Sequence, residues 1–147
     1  MRALPNGFRW LLIAAWMMAA LHVPALAAPL AAADEKKIQT VVQAQFDAFA
    51  TDDATRAFSY ASPEIRKMSG SAENFMAMVR TGYPAVYRPA SVLFLKPEVA
   101  DKEVTQRVQL IDAQGAGWLA TYTMQQQKDK SWRIGGCSLQ PHKGRMA

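Results

Sequence analysis

Apolar and polar residues alternate in three consecutive runs in the last third of the chain, over residues 104–111, 118–125 and 132–139. Each run is rich in β-branched or aromatic residues and is bounded by polar or glycine-containing segments, at 112–117 and 128–131, a pattern typical of strands joined by hairpin turns. Because successive side chains of a strand point to opposite faces, alternation gives each strand one apolar face. The residues on these faces are Val104, Val108 and Leu110; Trp118, Ala120, Tyr122 and Met124; and Trp132 and Ile134. The three runs predict an antiparallel sheet whose apolar face has to be covered.

The segment before the sheet has the periodicity of helices. From Ile38 to Phe49 apolar residues recur at steps of three and four, which indicates an amphipathic helix, and Asp34 is in the position of its N-cap. The stripe consists of Ile38, Val41, Val42, Gln45, Phe46 and Phe49. A stripe of this kind is typical of a helix that lies across a sheet.

Capping residues predict three shorter helices after the first one, because serine and aspartate favour the N-cap and proline favours the first helical position. The caps and their helices are Asp52 and Asp53 with residues 54–61, Ser62 with residues 63–68, and Ser71 with residues 72–81. In the last of these helices the spacing directs Phe75, Met78 and Val79 inward.

Prolines change the pattern between the helices and the strands. Pro84, Pro89 and Pro97 exclude a helix in this region, and we predict that residues 86–88 and 91–95 are extended. The second of these segments is flanked by proline and therefore suits the edge of the sheet. The carboxylates expected together in one loop are Glu98, Asp101 and Glu103.

The order of the elements, helices first and consecutive strands afterwards, is typical of an α+β protein. We predict a single domain over residues 34–141, in which N-terminal helices pack on a curved, about four-stranded antiparallel sheet. Residues 28–33 are predicted to be a flexible start, and residues 142–147 a short tail.

Residues 1–27 have the three parts of a secretory leader. These parts are the basic residues Arg2 and Arg9, the apolar run over residues 10–21 and the cleavage signal Ala25-Leu26-Ala27. A membrane anchor is the alternative, but the apolar run is shorter than the ~20 residues that a spanning helix needs. We predict cleavage after Ala27 or Ala28, and hence an exported protein, periplasmic or secreted, with no stable membrane anchor after cleavage.

Charge and cysteine content narrow the classes of function. The chain has a formal net charge of +5, but its basic residues are scattered, so we predict no nucleic-acid partner.

Cys137 is the only cysteine and cannot form an internal disulfide. Alternation places Cys137 on the face opposite Trp132, and we interpret it as a partly buried, inert thiol. Gly135 and Gly136 predict a bend or bulge in the last strand.

Candidate catalytic and metal-binding residues are few. The predicted strands carry no carboxylate in their middles, because Asp112 and Asp129 fall in turns and Asp47 lies on the polar side of the first helix. Acid–base catalysis, which needs a positioned carboxylate or a similar group, is therefore not indicated. His142 is the only histidine beyond the leader, which is too few nitrogen or sulfur ligands for a zinc site. We predict neither a metal nor a cofactor.

The tyrosines are the better candidates for a binding site. A half-buried tyrosine combines an apolar ring with a hydroxyl that needs a partner, which suits either the edge of a core or the wall of a pocket. The candidate pocket-lining residues are Phe46, Phe49, Tyr60, Met78, Tyr83, Tyr87, Trp118 and Tyr122. Packing in the core is a sufficient explanation for Trp118 and Trp132, so the pattern leaves both interpretations open.

Several longer strings resemble a known family. They are Gln45-Phe46-Asp47-Ala48-Phe49 with Asp52-Asp53, Ala57-Phe58-Ser59-Tyr60-Ala61-Ser62-Pro63, Phe75-Met76-Ala77-Met78-Val79-Arg80, Tyr83-Pro84-Ala85-Val86-Tyr87-Arg88-Pro89 and Trp132-Arg133-Ile134. With them the chain resembles the bacterial family named domain of unknown function 4864, within the nuclear transport factor 2-like superfamily that also includes ketosteroid isomerase and polyketide cyclases. The resemblance implies a cone of helices and curved sheet that is open at one end, and it implies no activity. It departs at Asp129-Lys130, where a family member often has Asp-Gly, and this leaves the type of the last turn open.

These patterns favour an exported, non-enzymatic domain that binds a small apolar or amphipathic ligand, or a protein partner, in a cone-shaped pocket. Two alternatives remain. The same cavity could serve an isomerase-like or cyclase-like acid–base enzyme, which would need a carboxylate or a tyrosine hydroxyl with a shifted pKa pointing into it. The cone could instead be filled by side chains, in which case the exposed face of the sheet would form a homodimer.

Overall fold

A computed structural model describes residues 29–143. The predicted leader over residues 1–27 and the last part of the predicted tail lie outside the described residues. The helices are α1 (Ala32–Ala50), α2 (Ala54–Ser59), α3 (Pro63–Ser69), α4 (Ala72–Gly82) and α5 (Pro84–Tyr87). The strands are β1 (Ser91–Phe94), β2 (Glu98–Ala100), β3 (Glu103–Ile111), β4 (Gly117–Gln126) and β5 (Trp132–Pro141). The α+β class is therefore confirmed.

Side-chain caps start the three middle helices, as the sequence predicts. The Asp53 carboxylate accepts from the backbone N–H of Arg56 at α2, the Ser62 hydroxyl accepts at the start of α3, and the Ser71 hydroxyl accepts at the start of α4. Such caps satisfy backbone donors that have no partner within the helix. Gly70 ends α3 with a positive φ of 78°, a conformation that glycine adopts without steric cost.

The start of α1 differs from the prediction. The helix begins at Ala32, two residues before Asp34, and Ala31 is its N-cap without a side-chain hydrogen bond. Asp34 lies in the first turn, where its carboxylate accepts a hydrogen bond of 3.2 Å from the indole N–H of Trp132. The predicted Asp34 cap is thus wrong, and the end of the segment predicted to be flexible is helical.

A short helix replaces the extended segment that we predict over residues 86–88. Pro84 occupies the first turn of α5, and the backbone N–H of Arg88 donates to the Pro84 carbonyl at 3.1 Å. Proline excludes a helix only from its interior, because in the first turn its missing N–H would have no partner in any case. The prediction fails because it applied the rule for helix interiors to a helix start.

The sheet is antiparallel, in the order β1-β3-β4-β5, and β2 also pairs with β3. β1 pairs with the C-terminal half of β3 and β2 with its N-terminal end, so together they form one edge that is interrupted before Pro97. The sheet therefore has five strands where we predict about four. Glu98 and Glu103 lie within the paired strands β2 and β3, on either side of a turn at Asp101, and not together in one loop.

A β-bulge in β5 confirms the bend that the glycine pair predicts. Thr123 pairs with Gly136 and Met124 pairs with Ile134, which leaves Gly135 without a partner on β4. One extra residue reverses the alternation of the strand beyond it. Cys137 consequently lies opposite Tyr122, on the same face as Ile134, and its predicted position on the face opposite Trp132 is wrong.

The core lies between the helices and the inner face of the sheet. Ile38, Val42, Phe46 and Phe49 of α1 are buried together with the inward residues of β3 and β4. Phe46 packs edge-on against Tyr122, with ring centroids 6.1 Å apart. The expected alternation is confirmed by the buried inward residues Val108, Leu110, Ala120, Tyr122, Met124, Trp132 and Ile134.

Methionine burial in α4 differs from the prediction. Met76 is buried, whereas Met78, which we predict to face inward, is 41% exposed.

No helix within residues 29–143 is long and apolar enough to cross a membrane.

Candidate functional site

A cavity of about 240 Å³ lies between the helices and the bulged part of the sheet. Side chains from α1, α3, α4, α5, β4 and β5 surround it. Its lining residues are Gln45, Phe49, Ala61, Ile65, Met68, Phe75, Met78, Val79, Tyr83, Val86, Tyr122, Ile134, Gly135, Gly136 and Cys137. Most of these side chains are apolar.

The junction between α2 and α3 fixes one side of this cavity. Ala61 forms a parallel bridge with Ile134. The Ile134 N–H donates to the Tyr60 carbonyl, and the Ser62 N–H donates to the Ile134 carbonyl, each at 2.8 Å. These bonds attach the helical layer to β5 immediately before the bulge, so the bulged residues that follow line the cavity.

The cavity opens to solvent beside two methionines. Met68 of α3 is 76% exposed and Met78 of α4 is 41% exposed, although both side chains line the cavity. Large apolar side chains that are exposed beside a concave surface are typical of a binding site. The exposed apolar part of the lining therefore belongs to α3 and α4, whereas Tyr122 of the sheet is buried.

Among the described residues, no charged side chain lines the cavity. Its polar side chains are Gln45, Tyr83, Tyr122 and Cys137. Gln45 is buried, and its amide nitrogen donates to the Ala57 carbonyl at 3.2 Å. The described lining therefore lacks a carboxylate that could serve as a general base.

Tyr122 of β4 and Cys137 of β5 lie opposite each other in the sheet, and both line the cavity. Tyr122 is buried and Cys137 is half-buried. Burial raises the pKa of Tyr122 well above its usual value of 10. Burial also raises the pKa of Cys137 to about 12, against the opposing effect of the hydrogen bond from Tyr122. Both groups are consequently neutral at physiological pH, and the thiol is not activated as a nucleophile.

Four of the eight candidate residues line the cavity, namely Phe49, Met78, Tyr83 and Tyr122. The other four have different surroundings. Phe46 packs against Phe94 and Tyr122 in the core, the Tyr60 hydroxyl accepts from Arg56, the Tyr87 ring packs near Phe49, and the Trp118 indole N–H donates to Asp112 at 2.8 Å. Binding of a ligand by any of the eight residues stays a prediction.

Sequence reasoning missed Cys137, Gln45 and Met68 as cavity residues. The glycine pair before Cys137 was a usable signal, because a bulge reverses the direction of the residues that follow it. Gln45 stood out as a polar residue within an apolar helical stripe. Met68 lies at the end of a short helix, and no local pattern indicates that it reaches the cavity.

A second polar cluster surrounds Asp52 at the end of α1. The Asp52 carboxylate accepts hydrogen bonds from the Tyr87 hydroxyl, from Arg88 at 2.8 Å and from Arg80 at 3.4 Å. The hydrogen bond from Tyr87 and the charge of Arg88 lower the pKa of Asp52. Partial desolvation of the carboxylate acts in the opposite direction. Asp53, not Asp52, caps α2, so the cap predicted for Asp52 is wrong.

An open groove of about 690 Å³ lies beside the start of α1. It is lined by Ala33, Lys36, Lys37, Thr40, Val41, Asp129, Lys130, Ser131, Trp132 and Arg133. Its charges are of both signs. Within residues 29–143, no group of three or more His, Cys, Asp or Glu side chains is placed to hold a metal ion.

A comparison with family models assigns the chain to a family. The model of Domain of unknown function (DUF4864) matches residues 31–147, so the chain belongs to this family. The match covers every described helix and strand and the cavity between them. Searches of the curated proteins and of the solved structures found no match. Membership of the nuclear transport factor 2-like superfamily stays a prediction.

Proposed function

We propose that this domain binds a small apolar or amphipathic ligand in the cavity between its helices and its sheet, without catalysing a reaction. The observation that carries the proposal is an apolar cavity that opens beside two exposed methionines, Met68 and Met78. Methionine side chains are flexible and polarizable and adapt to different apolar ligands. Concave, mostly apolar sites with a few polar groups are the usual form of small-molecule sites.

The volume of the cavity limits the size of the ligand. An apolar cavity of ~150 Å³ is large enough to bind benzene, and drug-sized ligands occupy pockets of ~300 Å³ or more. At about 240 Å³, the site suits one aromatic ring with a short substituent, or a short alkyl chain. Longer chains would extend past the methionines into solvent.

The composition of the lining supports binding over catalysis. An isomerase-like or cyclase-like reaction requires a general base near the substrate, and the described lining has no carboxylate or histidine. Tyr122 and Cys137 are ionisable groups of the lining with a shifted pKa, but burial raises the pKa of both, so they stay protonated and neither serves as a base. We further propose that the domain acts after export, on the basis of the leader pattern in residues 1–27 of the sequence.

The experiment measures the melting temperature of the mature chain with ethylbenzene, indole and hexanol as probes. A probe present at ten times a dissociation constant of ~0.1 mM stabilises the native state by about 1.4 kcal/mol, which corresponds to a rise of roughly 6 °C for a domain of this size. Melting temperatures that stay unchanged with every probe would contradict the proposal.

A matched pair of variants locates the binding. Ile65 lines the cavity, so Ile65→Phe fills part of the space and should abolish the rise in melting temperature. Ile111 lies outside the cavity lining, in β3, so Ile111→Phe should retain it. A rise that survives Ile65→Phe but is lost in Ile111→Phe would place the probe elsewhere and count against the proposed site.

A further inference from the structure

We propose that the cavity selects uncharged ligands that carry a hydrogen-bond acceptor, such as a carbonyl oxygen, at the end that reaches Tyr122. The Tyr122 hydroxyl is the donor that receives this acceptor. This inference rests on the proposed function, since it names the class of ligand for the same cavity.

The first argument is that the described cavity offers no partner of opposite charge to a charged ligand. No charged side chain lines the described cavity, and burial keeps both Tyr122 and Cys137 neutral. An ion that enters a low-dielectric site without a partner loses its hydration and gains nothing comparable in return. A carboxylate or an ammonium group would therefore have to stay outside the mouth, so compounds of one-ring size that carry a charge are excluded.

The second argument is the weak partner of the Tyr122 hydroxyl. Tyr122 is 1% exposed and lines the cavity, and the residue opposite it on β5 is Cys137, whose sulfur is a weak acceptor. A buried donor that has only a weak acceptor gains free energy from a better one. A carbonyl oxygen of a ligand is such an acceptor, and the apolar body of the ligand would then lie against Phe49 and Met78.

The third argument is that the thiol does not depend on the Tyr122 hydroxyl for a partner. The Cys137 thiol already donates to the backbone carbonyl of Ser138 at a sulfur–oxygen distance of 3.7 Å. A ligand acceptor at Tyr122 therefore leaves the thiol with its hydrogen bond. Tyr83, the other tyrosine of the lining, is only partly buried, so water can satisfy its hydroxyl and it gains less from a ligand.

The test compares three probes of nearly equal size by isothermal titration calorimetry on the mature chain. Ethylbenzene is apolar, acetophenone adds one acceptor without a donor, and benzoate adds a charge. We expect acetophenone to bind roughly 3- to 10-fold more tightly than ethylbenzene, the range of one net hydrogen bond. We expect benzoate not to bind in the cavity. Residual benzoate binding that Ile65→Phe leaves unchanged belongs to the open groove beside the start of α1, whose lining includes Lys36, Lys37 and Arg133, and agrees with this expectation.

Variants test the role of the hydroxyl. Tyr122→Phe should lose the preference for acetophenone over ethylbenzene, whereas Tyr83→Phe should keep that preference. Cys137→Ala removes the competing acceptor and should increase the preference, which provides a second test if Tyr122→Phe does not fold.

The outcomes distinguish the two proposals. If neither ethylbenzene nor acetophenone binds, the proposed function fails. If ethylbenzene binds but acetophenone binds no more tightly, or if benzoate enters the cavity as well as the neutral probes, the proposed function stands and this inference is overturned. A preference for acetophenone that persists in Tyr122→Phe would likewise overturn it.

Discussion

Asp52 joins three parts of the helical layer through one carboxylate. It follows α1 with a positive φ of 53°, and its partners are Arg80 on α4 and the consecutive residues Tyr87 and Arg88 at the end of α5. The two guanidinium groups lie over the Tyr87 ring, at 5.3 and 4.8 Å from its centroid. Without the carboxylate, two cations would share one aromatic ring with no counter-charge between them.

The lowered pKa of Asp52 predicts how stability changes with pH. A carboxyl group whose pKa is lower in the folded than in the unfolded state stabilises the fold above its unfolded pKa, and this contribution is lost as the pH falls through the folded pKa. The first cause is the hydrogen bond from Tyr87, followed among the favourable effects by the charge of Arg88. We expect Asp52→Asn to melt at a lower temperature than the natural chain at pH 7. The difference should shrink as the pH falls below 3.8, the ordinary value for aspartate.

Asparagine is a suitable replacement because it tolerates the left-handed backbone conformation at this position. The substitution therefore removes the charge and leaves the backbone conformation accessible. Asp47→Asn is the matched control, since Asp47 is an exposed carboxylate on α1, and it accepts a hydrogen bond from the Gln43 side chain. A melting-temperature difference for Asp52→Asn that is the same at pH 7 and pH 2.5 would contradict the prediction.

At the scale of single residues, sequence patterns predicted the burial of most apolar side chains but not the exceptions that build the cavity. Alternation located Tyr122 on the inner face because β4 is regular there. The same rule misplaced Cys137, since the single extra residue Gly135 reverses the strand after it. In α4, helical spacing alone could not decide between Met76 and Met78, which face different neighbours.

In the turn between β4 and β5, a lysine adopts the left-handed backbone conformation that glycine adopts most easily. Lys130 has a φ of 70°, and the turn is closed by hydrogen bonds from the Lys130 N–H to the Gln127 carbonyl at 3.0 Å and from the Gln127 N–H to the Ser131 carbonyl at 2.7 Å. The turn, whose type the sequence left open, is thus a four-residue turn over residues 127–130 that ends with Lys130 in the left-handed conformation.

This conformation predicts that Lys130→Gly stabilises the domain. A residue with a Cβ in the left-handed region costs about 1–2 kcal/mol, and the greater freedom of glycine in the unfolded chain offsets part of the gain. We expect a net increase of roughly 0.5–1 kcal/mol in the free energy of unfolding, measured by urea denaturation. Lys128→Gly is the control, because Lys128 has no positive φ among the described residues, and it should lower stability or leave it unchanged. Destabilisation by Lys130→Gly would contradict the prediction.

Among the elements, those defined by local chemistry were predictable and those defined by their neighbours were not. Ser62 and Ser71 start helices because their hydroxyls satisfy donors only three residues away. α5 and β2 are three or four residues long and depend on packing or pairing with distant parts of the chain. Their sequences contain no periodicity long enough to indicate a type of structure.

At the scale of the whole molecule, the cavity results from the meeting of elements that are far apart in the sequence. Gln45 on α1, Met78 on α4 and Cys137 on β5 belong to one lining, and the size of the space between them depends on the separation of the helical layer from the sheet. The sequence predicted that the helices cover the sheet. It could not predict where they leave a gap, because a gap is a property of packing and not of any one segment.

The outer face of the sheet carries the remaining prediction, a homodimer. The described helices pack on the inner face, and the outer face presents Leu93, Ile111 and Leu119, of which Leu93 is 37% exposed. Register places Leu93 and Leu119 on either side of Gln109, so the two leucines lie near one another on the same face. Burial of such a patch in a second copy would remove apolar surface from water at roughly 25 cal/mol per Å².

We expect size-exclusion chromatography with light scattering to give a dimer that dissociates on dilution, and Leu119→Lys to give a monomer at every concentration, because a lysine in the centre of the interface would be buried without a partner. Met68→Lys is the matched control. Met68 is a more exposed apolar residue on the other side of the molecule, in α3, and its substitution should leave the mass unchanged. A natural chain that is monomeric at millimolar concentration would eliminate the dimer, and a dimer that Met68→Lys disrupts would place the interface at the mouth of the cavity instead of on the sheet.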